Sequence, residues 1–257
     1  MAQLQCNLFS YSLGYPVDIV VILPSFTPCT MQLPHTHALP AKFPVIYLLH
    51  GYGNDYQAWL RYTSIPRYAE EHRIAIVTFS CHNKAYLNAP LGENFYDFLN
   101  KELPEFVENY FNVSSDPKER YIAGLSMGGY GSLLHGLQNP ERYSAIGAFS
   151  PGIPDLTAQP DPNRIQRPDP YQFTREALAS GKRLPDLFMC IGQNDYLYER
   201  VTNYHRAFAD EWHGSRYRFD DLPGYEHEFA IWDKEVQAFL EWIDRKDVYK
   251  QMGKNKV

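Results

Sequence analysis

From residue 43 onward, short apolar runs of strand length alternate with helical patterns, and this alternation constrains the chain more than any other feature. The runs are 43–49, 74–80, 120–125, 145–149, 187–191 and 217–221. Between them the spacing predicts helices over 57–71, 94–111, 127–138 and 198–212, with a last one over 228–245. A strand that is apolar on both faces must be covered on both, and parallel neighbours need a long crossover, usually a helix. The expectation is an α/β fold with a mainly parallel central sheet and helices on both faces. In the last helix Phe229, Trp232, Val236, Phe239, Leu240 and Ile243 recur at steps of three and four, one stripe facing the sheet. Two earlier runs, 4–12 and 17–23, flank Gly14-Tyr15-Pro16 and read as an antiparallel N-terminal hairpin.

The 257 residues read as one domain over 1–257. Prolines 151, 154, 160, 162, 168 and 170 crowd one segment, which reads as a surface insertion at about 151–185 over one end of the sheet. Residues 24–42 read as loop. Hydrophobic residues are 44% and charged residues 21%, an ordinary globular balance. The net charge of -6, with no basic cluster beyond a mildly basic tail at 246–254, excludes nucleic acid as an expected partner. No run approaches the 18 or so apolar residues of a membrane span. The first residues show no basic region followed by an apolar stretch, which leads to the expectation of a cytoplasmic protein. Cys6, Cys29, Cys81 and Cys190 form no C-x-x-C pair and are expected as free thiols. Pro34-His35-Thr36-His37 lacks a third ligand nearby and reads as surface loop, so no metal and no cofactor are expected.

The chemistry centres on Gly124-Leu125-Ser126-Met127-Gly128, a G-x-S-x-G between a predicted strand and a predicted helix. Glycines two before and two after the serine let strand and helix meet at a turn tight enough to lift the hydroxyl clear of the sheet. A serine hydroxyl is a weak nucleophile at neutral pH, so it needs a histidine base and an acid to orient that base. Asp195 follows the run 187–191 at the carboxyl edge of the sheet, where parallel sheets present functional groups. Its rivals, Asp186, Asp220 and Asp221, sit at the wrong strand end or on the next strand. His227 ends the loop 222–227 just before the last helix and is the candidate base. The developing oxyanion calls for two N–H donors. The Met127 amide at the helix start is one, and the Tyr52 amide in the loop His50-Gly51-Tyr52-Gly53 is the other, with Gly51 shaping that loop. Tyr86 and Trp59 fall near this site and are candidates for substrate contacts, while most other rings fill the core.

These residues, with Asn139-Pro140-Glu141-Arg142-Tyr143 and Ser150-Pro151-Gly152, resemble the esterase D-like branch of the α/β-hydrolases over almost the whole chain. Within that branch the chain looks closest to the tributyrin and acetyl esterases, through Tyr86-Leu87-Asn88 and the stretch from Asn94-Phe95-Tyr96-Asp97-Phe98 to Glu102-Leu103-Pro104. Feruloyl esterases and S-formylglutathione hydrolases are further relatives. The latter usually carry Leu-Thr-Cys where Tyr52-Gly53-Asn54 stands here. The resemblance implies an α/β-hydrolase fold and a serine carboxylesterase acting on small-molecule, short-chain acyl esters. It alone implies a homo-oligomer. Two other readings are acyl transfer to an alcohol on the same machinery, and a binding module that has lost catalysis.

Overall fold

A computed structural model of the chain describes residues 1–25, 37–90, 92–157, 159, 165–255 and 257. His35 and Cys29 lie outside the described residues. The strands are β1 (Ala2–Phe9), β2 (Pro16–Leu23), β3 (Val45–Leu49), β4 (Ala75–Phe79), β5 (Arg120–Leu125), β6 (Ala145–Phe149), β7 (Asp186–Gly192) and β8 (Tyr217–Leu222). They form one sheet in the order β1-β2-β4-β3-β5-β6-β7-β8. β2 pairs antiparallel with both β1 and β4, and every other pairing is parallel. The helices are α1 (Ala58–Tyr62), α2 (Ile65–His72), α3 (Phe95–Asp97), α4 (Leu103–Tyr110), α5 (Met127–Gln138), α6 (Pro170–Ala179), α7 (Tyr198–Phe208), α8 (Phe229–Trp242) and α9 (Val248–Gln251).

Successive side chains of a strand point to opposite faces, and β3 divides accordingly between two cores. Val45, Tyr47 and Leu49 pack with residues of α4, α5, α6 and α7, while Ile46 and Leu48 pack with Trp59, α2 and α8. β5, β6 and β7 divide the same way, and all three are buried along their full length. The mainly parallel sheet with an antiparallel N-terminal hairpin and two helical layers is the expected architecture.

Three elements differ from the sequence reading. The helix expected over 57–71 is split, because Pro66 has no N–H and its ring would strike the carbonyl four residues back, so the chain turns extended at Thr63 and restarts with Pro66 in the first turn of α2. The helix expected over 94–111 contains a π turn at Phe98–Glu102, where Leu103 N–H reaches Phe98 O. Pro104 supplies the reason: it cannot donate to the Asn100 carbonyl, so the helix widens by one residue. The insertion expected at about 151–185 contains a regular crossover helix, α6, with Phe173, Thr174 and Ala177 buried. The proline-rich stretch is confined to the approach to that helix, whose residues 158 and 160–164 lie outside the described ones.

The basic tail is also more ordered than its composition suggests. Arg245 forms a bidentate pair with Asp247 and donates to His72 O at 2.6 Å. Tyr249 stacks on Phe43 at 4.6 Å, and Asn255 binds Glu70 and the Glu71 carbonyl. No helix among the described residues is long and apolar enough to cross a membrane.

Candidate active site

Ser126 sits between β5 and α5 with φ 52° and ψ -115°, a backbone region that L residues rarely adopt. Three backbone bonds hold it there. Ser126 N–H donates to Phe149 O at 2.9 Å, while Ser126 O accepts from Gly152 N–H at 2.7 Å and Tyr130 N–H at 3.0 Å. The flanking glycines are required by close approach: a Cβ at Gly128 would lie 2.5 Å from Leu49 O and 2.7 Å from His50 O, and one at Gly124 would lie 2.5 Å from Gly128 O. Helix α5 therefore begins directly on the carboxyl end of β3. Gly128 and Gly131 meet Leu49 at that end, while Gly129 meets Pro151 and Gly136 meets Ile146 of β6.

Asp195 and His227 come from two loops that are stitched to each other. Gln193 N–H donates to Leu222 O at 2.9 Å and Asn194 N–H to Tyr225 O at 3.0 Å. A Cβ on Gly192 would overlap the Tyr225 carbonyl, so only glycine lets the two loops approach this closely. The result is a continuous hydrogen-bonded chain. His227 Nδ1–H donates to Asp195 Oδ2 at 2.8 Å, which leaves Nε2 as the acceptor for the Ser126 hydroxyl at 2.9 Å. The second Asp195 oxygen accepts from Leu197 N–H at 2.8 Å, and the Asp195 side chain is fully buried. The imidazole meets the buried indole of Trp232 at 4.9 Å, edge to face. The rival carboxylates are engaged elsewhere: Asp186 with Arg216 N–H, Asp220 with Arg218, and Asp221 with the Tyr198 hydroxyl.

Gly51 lies against the serine, since a Cβ there would be 3.4 Å from Ser126 Cβ. Met127 opens α5, so its N–H has no intrahelical acceptor. Tyr52 is 60% exposed at the rim of the loop. Gly53 N–H donates to Asn83 Oδ1 at 2.7 Å, which ties this loop to the one after β4.

Tyr86 and Trp59, read as candidate substrate contacts, are not open to a ligand. Both are buried. The Trp59 indole N–H donates to Leu49 O at 2.9 Å and the Tyr86 hydroxyl to His50 O at 2.9 Å. They cap carbonyls at the end of β3, which a parallel strand leaves without a partner as it enters a loop. Their place near the site was legible; their role in supporting the loop was decided by burial.

Two histidines to which the sequence reading gave no role of their own complete this support. His50 is buried; its Nδ1–H donates to Gly51 O at 2.8 Å and its Nε2 accepts from Cys81 N–H at 3.1 Å. Its pKa is lowered to about 4, chiefly by burial. His135 on α5 donates from Nε2 to Tyr86 O at 2.9 Å and accepts from Asn100, which lies in the π turn, at 2.8 Å. Burial lowers its pKa to about 4 as well. The segment it holds contains Ala85 at φ 52° and Tyr86 at φ 60°. No local motif marks these pairs, because their partners are distant in sequence.

A nucleophile placed by a strained turn, a base within reach of it and a buried acid orienting the base are the parts that acyl transfer requires. A model of the family described as "Putative esterase" matches residues 23–243. The chain belongs to this esterase family. An acetyl esterase from Caldicellulosiruptor saccharolyticus is 25% identical to the esterase over 268 residues, covering 95% of the chain and 99% of that relative. Among solved structures, the esterase is similar to FphF, a fluorophosphonate-binding serine hydrolase of Staphylococcus aureus, at a TM-score of 0.81 and 26% identity over 95% of the chain and 99% of that structure. It is also similar to the S-formylglutathione hydrolase FrmB of Staphylococcus aureus, at a TM-score of 0.78 and 26% identity over 94% of the chain and 98% of that structure. The esterase is thus a carboxylic ester hydrolase with an α/β-hydrolase fold.

Proposed function

We propose that the protein is a serine carboxylesterase for short-chain acyl esters, acting through Ser126, His227 and Asp195. The chain of hydrogen bonds from Asp195 through His227 to Ser126 carries this reading. His227 takes the Ser126 proton as Oγ attacks the ester carbonyl, and the buried Asp195 carboxylate stabilises the imidazolium that forms. The amides of Met127 and Tyr52 receive the oxyanion, with Gly51 shaping the Tyr52 loop. Collapse of the tetrahedral intermediate breaks the bond to the alcohol oxygen, and His227 returns its proton to that oxygen. Water, deprotonated by His227, then releases the acid from the acyl-serine. No cofactor or metal enters any step. The resemblance to the tributyrin and acetyl esterases supports an acetyl or butyryl chain over a long one. The acetyl esterase relative points the same way.

The test is hydrolysis of p-nitrophenyl esters from acetate to dodecanoate, with methyl ferulate, an acetylated xylo-oligosaccharide and S-formylglutathione alongside, and Ser126→Ala as the blank. The expected result is Ser126-dependent turnover that is steepest for acetate or butyrate. Preference for ferulate or the thioester overturns the short-chain assignment, and full turnover by Ser126→Ala overturns the mechanism.

A further inference from the structure

Tyr196 has no role in the triad, yet it is a large, exposed side chain directly beside it. It directly follows Asp195, is 73% exposed, and places its ring 4.7 Å from the His227 ring at an angle of 53°. Its backbone is not free to move with it. Asp195 N–H donates to Gly192 O at 3.0 Å, Leu197 N–H to Asp195 Oδ1 at 2.8 Å and Tyr198 N–H to Asp195 O at 2.9 Å, after which α7 begins. A rigid turn thus holds an aromatic ring in water beside the reacting groups. Burial and then the neighbouring Asp195 carboxylate raise the phenol pKa, and Arg200 and Ser126 only partly offset them, so the phenol stays protonated and able to donate.

The direction this ring faces follows from the chemistry. His227 must hand its proton to the leaving oxygen, so the alcohol part of the ester lies on the His227 side of Ser126 and the acyl part lies away from it. A ring tilted against that of His227 therefore borders the alcohol part.

We propose that Tyr196 is a specificity-determining residue for the alcohol part of the ester, its ring face receiving a ring-shaped alcohol and its hydroxyl donating to an oxygen carried by that alcohol. The chemistry recognised is an apolar ring face bearing oxygen, which a pyranose and a phenol both offer. The inference rests on the Ser126, His227 and Asp195 reading above, and the experiment separates the two.

Three acetates share one acyl group and differ in the alcohol: ethyl acetate, phenyl acetate and a mono-acetylated methyl pyranoside. kcat and KM are measured for each with the wild type, Tyr196→Phe, Tyr196→Ala and Ser126→Ala. Tyr196→Ala is expected to lower kcat/KM on a ring alcohol, relative to ethyl acetate, by about tenfold, mostly through KM. Tyr196→Phe is expected to keep the phenyl acetate ratio and to lower the pyranoside ratio by about three- to tenfold. A loss confined to phenyl acetate identifies an aromatic alcohol, and one confined to the pyranoside identifies a sugar. Unchanged ratios in Tyr196→Ala overturn the proposal, as does a loss that follows acyl length in a series of ethyl esters. Turnover that survives in Ser126→Ala instead overturns the triad reading, whatever the Tyr196 ratios are.

Discussion

On the proposed mechanism Ser126 combines two roles that a substitution series can separate, its hydroxyl serving chemistry and its backbone strain serving only geometry. Ser126→Ala is expected to lower kcat by about 10⁵- to 10⁶-fold, the scale measured for loss of the nucleophile in another serine hydrolase, and to abolish labelling by a fluorophosphonate probe. Ser126→Gly should be equally inactive but more stable than Ser126→Ala by about 1 kcal/mol in chemical denaturation, since glycine adopts a φ of 52° without the Cβ penalty. Equal stability of the two variants would show that the turn stores no strain. Asp195→Asn should keep the fold yet cost about 10⁴-fold in kcat, because the amide no longer holds the Nδ1–H tautomer of His227. At this scale the sequence was most informative. Spacing and punctuation selected Ser126, Asp195 and His227, and the structure brings those three together. Tyr86 and Trp59 were given the wrong role because nearness to a functional loop does not distinguish a ring that faces the ligand from one that supports the loop from below.

At the scale of elements, the decisive contact is the start of α5 on the end of β3. Gly128→Ala would place a methyl group 2.5 Å from the Leu49 carbonyl, and neither backbone can yield without moving Ser126 or the Gly51 loop. The expected cost is about 1–3 kcal/mol of stability together with a fall in kcat, read by denaturant unfolding and by steady-state kinetics. A variant of wild-type stability and activity would refute that packing. Element types were legible because each strand is a short apolar run and each long helix has an apolar stripe. The breaks were not. Pro66 and Pro104 were visible, yet whether a proline splits a helix or is absorbed by a π turn depends on what the displaced carbonyls meet in three dimensions. α6 was hidden by its proline-rich approach, although Asp169 and Pro170 form an ordinary helix start, with the Asp169 side chain accepting from Tyr171 N–H.

Across the whole molecule, buried titratable groups set how stability varies with pH. His50, His72 and His135 are each lowered to about 4, chiefly by burial, so unfolding at pH values between about 6.5 and 4 takes up protons on all three. Their contribution is fully present above pH 6.5 and is lost as pH falls toward 4. Glu235 of α8 acts in the opposite sense. Burial, and then its hydrogen bond and repulsion with Asp220, raise it to about 7, so its contribution is fully present below about pH 4.5 and is lost as pH rises through 7. Three histidines against one carboxyl leave a net uptake of about two protons on unfolding near pH 5, so stability should decline on acidification below pH 6.5. Denaturant midpoints measured across pH 4–8 check this; a flat profile would contradict it. Glu235→Gln should raise stability above pH 7 by roughly 1–3 kcal/mol and change it little at pH 4.5.

By itself the sequence determined the architecture, since apolar period and run length follow from what each segment must bury. It also selected the three residues proposed to react, since the G-x-S-x-G turn demands glycines at set positions and parallel sheets present their functional loops at one edge. Only the tertiary structure decided the supports of the site: the closeness of Gly192 to Tyr225, the capping of Leu49 and His50 by Trp59 and Tyr86, and the link from Asn100 through His135 to Tyr86. Each is a pairing between segments far apart in the chain, and whether a polar side chain ends at a backbone carbonyl, at a ligand or in water is settled by which groups burial leaves within hydrogen-bond reach.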